Sequence, residues 1–141
     1  MTALAHVLGE VGPGVHVWHS ERPASAIRAE AEEIAWRCVV LDGSVVVDKT
    51  SFLNECDRAY NFPVYFGRNW DALADCLADL QWLPPPGCGS GGGILTVFEA
   101  SDVFARADPD AYAVALEVFE QSAQAWAGVK VPFTVLLRPA A

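Results

Sequence analysis

The stretch FPVYFGRNWDALADCLADL, residues 62–80, decides how the rest of the chain is read. Asn69 is a good N-cap, because its side-chain oxygen can accept the unpaired backbone N–H groups at a helix start. Trp70, Leu73, Leu77 and Leu80 then recur at the spacing of an amphipathic helix, and the pattern predicts a helix over 69–80. The opposite face carries Asp71, Asp75 and Asp79. Like charges four residues apart destabilise a helix by about 0.2–0.5 kcal/mol per pair. The helix dipole favours Asp71 in the first turn and disfavours Asp79 near the end, and no Lys or Arg follows within the helix. Two readings are open: a solvated face on an acidic protein, or an acidic surface that meets a positive partner.

The flanking chain alternates strand and helix patterns. Upstream, RCVVLDGSVVVD (37–48) holds two β-branched runs around Asp42-Gly43, which suits a strand followed by a bend or a small hairpin. A helix follows from about Asp48 to Tyr60, with Phe52, Cys56, Ala59 and Tyr60 inward. It should stop at Asn61-Phe62-Pro63, since a residue before proline avoids helical geometry. Further upstream, GVHVWHS (14–20) reads as a short strand, and PASAIRAEAEEIAWR (23–37) as a helix with Ile27, Ala31 and Ile34 on one side. Downstream, LPPPGCGSGGG (83–93) is a loop, and its glycines lack the Lys and Ser/Thr of a phosphate-binding P-loop. GILTVFEA (93–100) is a continuous apolar run, as expected of a strand buried on both faces. Asp108-Pro109 opens a last helix with the stripe Tyr112, Leu116, Phe119, Ala123 and Trp126, and Gly128 is placed to end it. PFTVLLR (132–138) is the final strand. With right-handed crossovers these elements give an α/β fold: a small, mainly parallel sheet of three to four strands flanked by helices. The expected division is a strand–helix extension over residues 1–36, packed on the core of a domain over 37–141.

Composition narrows the function. The chain has 141 residues, 52% of them hydrophobic, and a formal net charge of −9. That balance suits a globular domain, argues against direct binding of nucleic acid, and suits a basic protein partner. No apolar run is long enough for a membrane span, and the start MTALAHVLGEVGPG lacks the basic residues of a secretory signal, so a cytoplasmic protein is expected. Cys38, Cys56 and Cys76 fall among apolar residues and read as buried reduced thiols; Cys88 lies in the loop with no activating neighbour. No cysteine spacing suits zinc.

An enzyme fits poorly. Asp71 and Asp75 have no His, Lys or third carboxylate in their motif, which makes a poor metal or acid–base site. The three histidines are His6, His16 and His19; the last two flank Trp18 and would point to different faces of a strand. No Ser or Cys has an adjacent base. No catalytic residue, cofactor or metal is expected.

The run NFPVYFGRNWDALADCL resembles the signature of the barstar family, intracellular protein inhibitors of ribonucleases. Pro63, Tyr65, Phe66, Gly67, Asn69, Asp71, Ala72, Leu73, Asp75, Cys76 and Leu77 match its pattern as they stand. The element order over roughly 37–138 matches as well. The resemblance implies a three-stranded parallel sheet with helices, and an inhibitory loop and helix whose carboxylates take the place of RNA phosphates in a ribonuclease active site. Asp75 would be the central plug, Asp71 its neighbour one turn earlier, and Asp79 would extend the face. Tyr65 and Gly67 would supply loop contacts, an aromatic surface and a close backbone approach, with Phe66 and Asn69 beside them. Ala74 stands where a well-known member carries Trp. Gln121 stands where that member's final helix contributes a Glu, with Glu120 adjacent. Arg68 replaces an acidic residue. The implied partner is a basic, extracellular-type ribonuclease held by a monomer in a 1:1 complex. The alternative is an immunity or interaction protein of the same fold for another toxin nuclease or partner.

Overall fold

The computed structural model describes residues 4–62, 66–78 and 92–139. Tyr65, Asp79, Leu80, Cys88 and most of the 83–93 loop lie outside the described residues. Four strands, β1 (Gly14–Val17), β2 (Arg37–Asp42), β3 (Ile94–Glu99) and β4 (Phe133–Arg138), form one sheet in the order β1-β4-β3-β2. Every pair is parallel. β2, β3 and β4 run in register over their full length, with Arg37 beside Ile94 and Ile94 beside Phe133.

Side chains alternate across this sheet with the period of two that a strand imposes. Val39, Leu41, Ile94, Phe98, Phe133, Val135 and Leu137 point to one face, where α3 (Lys49–Tyr60), α4 (Trp70–Ala78), α5 (Ser101–Ala107) and α6 (Pro109–Ala127) bury them. Leu95, Val97 and Leu136 point to the other, under α1 (Leu4–Val11) and α2 (Ala24–Glu33). The result is an α/β/α sandwich. β3 is central and buried on both faces, as its apolar run requires. Phe52 is the aromatic centre of the first face, with ring centroids 5.2 Å from Phe104 and 5.9 Å from Phe98, Phe119 and Trp70.

Several local expectations change. At Asp42-Gly43 the bend holds and the alternative hairpin does not. Asp42 Oδ1 accepts the Ser44 N–H at 3.1 Å and the chain enters a single 3-10 turn, Gly43–Val45. Only glycine fits at 43, because a Cβ there would lie 2.1 Å from the Glu99 carbonyl oxygen. The helix read over 23–37 ends at Glu33; Ala35 turns left-handed (φ 62°) to deliver the chain into β2, although the apolar spacing runs on to Ile34. The strand read over 14–20 ends at Val17. Two short helices had no sequence expectation, α1 and α5. α1 carries Gly9 in its interior, a poor helix former, and α5 follows a left-handed Ala100 that directly leaves β3. Asp48 caps α3 through a reciprocal pair with Ser51, and Asn61 closes it in the left-handed conformation (φ 55°).

Candidate functional site

The loop 66–69 and helix α4 stand on a stack of aromatic rings. Tyr60 and Phe62 stack 5.4 Å apart and nearly parallel, and Phe66 lies 4.7 Å from Phe62. Phe66 is only 8% exposed, so its side chain anchors the loop to the core. Gly67, Arg68 and Asn69 are exposed. Asn69 caps α4 as its position predicts: its Oδ1 accepts the Ala72 N–H at 2.7 Å. Trp70 is half-buried against Phe52, with Lys49 Nζ 5.7 Å above its ring.

Leu73, Cys76 and Leu77 are buried, which fixes the rotation of α4 on the sheet. Ala72 and Ala74 are partly buried against the same cluster. Asp71 and Asp75, one helical turn apart, are turned to solvent. Neither has an ion-pair partner among the described residues. At the other end the Trp126 Nε1–H donates to the Leu77 carbonyl at 2.8 Å, so α6 satisfies one of the carbonyls a helix end leaves open. α4 is therefore held at its cap, along its buried stripe and at its last turn, and its carboxylate face projects from a rigid base.

The expected residues of α6 are placed differently from one another. Gln121 is exposed. Glu120 is also exposed but engaged: its Oε1 accepts the Val15 N–H of β1 at 2.9 Å. Sequence reasoning missed one feature of the loop. Arg68 is left-handed (φ 54°), and its guanidinium reaches back to α3, where Nη1 donates to Asn54 Oδ1 at 2.9 Å and Nη2 to Asp57 Oδ2 at 3.0 Å. Its partners lie 14 and 11 residues upstream, beyond any local pattern. Among the described residues no cluster of three His, Cys, Asp or Glu converges.

Comparison with protein families matches the model described as barstar (barnase inhibitor) over residues 36–138. The chain belongs to the barstar family. The matched region covers β2 to β4 and every helix on the first face of the sheet, with α4 and its loop inside it. α1, β1 and α2 precede it. In this barstar-family chain those three elements add the fourth strand and cover the second face. Comparison with curated proteins gives no significant match.

Proposed function

We propose that this chain is a protein inhibitor of a small basic ribonuclease. It blocks the active site with the carboxylates of α4, which stand in for RNA phosphates. The observation that carries the reading is the pair Asp71 and Asp75, exposed one turn apart and with no ion-pair partner among the described residues, on a helix held at its cap and at Leu77. Carboxylates left unpaired on a rigid frame need little reorganisation before they accept charge-assisted hydrogen bonds from Arg, Lys or His. Gly67 supports the same reading. Its backbone is not left-handed, and among the described residues a Cβ there would meet the Asn69 side-chain amide at 3.3 Å, a tight contact that a small shift of that side chain relieves, and Ala72 Cβ at 3.6 Å. The fold scarcely demands glycine at 67, whereas a partner's close approach to the exposed backbone would. In this reading Tyr65, Asn69, Ala74, Asp79 and Gln121 border the contact, the complex is 1:1, and the protein acts in the cytoplasm. The net charge of −9 would speed encounter with a basic partner.

The test is inhibition of a panel of microbial guanyl-specific ribonucleases at low and high salt. Stoichiometric inhibition that weakens with salt is expected. Asp75→Ala should cost about 2–5 kcal/mol of binding, a range drawn from desolvated charge pairs at interfaces, the barnase–barstar pair among them. Its melting temperature should hold or rise slightly, because the like charge four residues from Asp71 is removed. Equal inhibition by the variant would remove Asp75 from the site. No inhibition by the wild type across the panel would move the reading to another toxin nuclease.

A further inference from the structure

We infer that Arg68 is a positioning residue: clamped to Asn54 and Asp57 of α3, it orders the loop that starts α4 and keeps its own charge away from the Asp71–Asp75 face. The inference rests on the inhibitor reading for its binding consequence and on geometry alone for the clamp.

Arg68 is a cation three residues before Asp71, in a loop that must meet a cationic partner. Left loose, it would compete for the carboxylates or repel that partner. The structure spends its donors elsewhere. Nη1 and Nη2 fork onto Asn54 and Asp57, and Asp57 is the more buried of the charged pair, with 27% of its side chain exposed against 60% for Arg68. A planar fork fits two acceptors at once, which a lysine ammonium does less well. The backbone adds a second argument. A non-glycine residue at φ 54° holds a sparsely populated conformation, and such a residue persists where its surroundings impose it. Here the impositions are the fork on one side, the Phe66–Phe62 contact before it and the Asn69 cap after it.

The experiment compares Arg68→Asn, Asp57→Ala, the double variant and Arg68→Lys. Asn is chosen because it tolerates the left-handed conformation but cannot span the fork. In the free protein, amide hydrogen exchange at Gly67, Arg68 and Asn69 should rise about two- to fivefold in each single variant, the range of an exposed ion pair. The double variant should add nothing further, and Arg68→Lys should restore part of the protection. Unchanged exchange, or additive effects in the double variant, overturns the clamp whether or not any ribonuclease binds. Stopped-flow association with a ribonuclease that the wild type inhibits reads the second half. Asp57→Ala leaves a released cation beside Asp71 and should slow association more than Arg68→Asn, which removes the cation. The opposite order overturns the charge-withholding role. Absence of inhibition by the wild type strikes the inhibitor reading and the binding role with it, and leaves the clamp to the exchange data.

Discussion

Asp48 shows how much one side chain does at a helix start. Its Oδ1 accepts the Ser51 N–H and the Ser51 hydroxyl, both at 2.8 Å, while Ser51 Oγ accepts the N–H groups of Val47 at 2.9 Å and Asp48 at 3.1 Å. The Ser51 amide, then its hydroxyl, hold the Asp48 carboxyl below its ordinary 3.8. The sign follows: the charged form is preferred in the folded state, so the stabilisation is full above the ordinary carboxylate range and fades as pH falls through the lowered value. Melting curves of wild type and Asp48→Ala should differ at pH 7 and converge toward pH 2; a gap that persists at pH 2 would show that charge is not what the cap contributes. Single-residue roles were unevenly legible in the sequence. Asn69 announced its cap, because capping is local and chemical. Phe66 did not announce its burial, because the ring it meets is set by where α3 ends. Arg68 could not be read, because its partners belong to a different helix.

At the scale of elements, both rims of the sheet end on a glutamate. β2 has Glu55 of α3, whose Oε2 accepts the Asp42 N–H at 2.6 Å and whose Oε1 meets Arg58 Nε at 2.8 Å. β1 has Glu120 of α6 on the Val15 N–H. An edge strand with open N–H groups invites pairing with another chain, and a carboxylate laid on it closes that option. Glu120→Ala is expected to speed hydrogen exchange at Val15 and lower stability by about 0.5–1.5 kcal/mol. No change at Val15 would mean that packing alone holds β1. The long periodic helices α3, α4 and α6 were legible because each pairs an apolar stripe with a cap. α1 and α5 were not, since eight and seven residues give too few turns for a stripe to stand out.

Across the molecule, the parallel sheet was legible in its strand–helix alternation and in the unbroken apolar run of β3. That run implied cover on two faces without saying which helices supply it. α1 and α2 supply the second cover, and Arg138 fastens the segment that joins β1 to α2. Its Nη1 lies 2.6 Å from Glu99 Oε1, and its Nη2 donates to the Ser20 carbonyl at 2.8 Å and to that of Arg22. Arg22 and Arg138 each set a guanidinium over the Trp18 ring, at 5.6 and 5.7 Å. Removing residues 1–33 would bare Leu95, Val97 and Leu136, each fully buried in the intact chain. Such a truncation should bind the dye ANS and self-associate by size-exclusion chromatography, as exposed core faces do. A monomeric, dye-silent truncation would show that the family region is self-sufficient.

The pairing of β1 with β4 also orders events in time. Gly14 sits beside Thr134, so among the described strands the first in chain order pairs with the fourth. While the ribosome is still adding the middle of the chain, β1 has nothing to pair with, and the ring closure that joins it spans some 120 residues. The described sheet can be completed only after translation has passed residue 138, so its fourth strand joins late however early β2 and β3 meet.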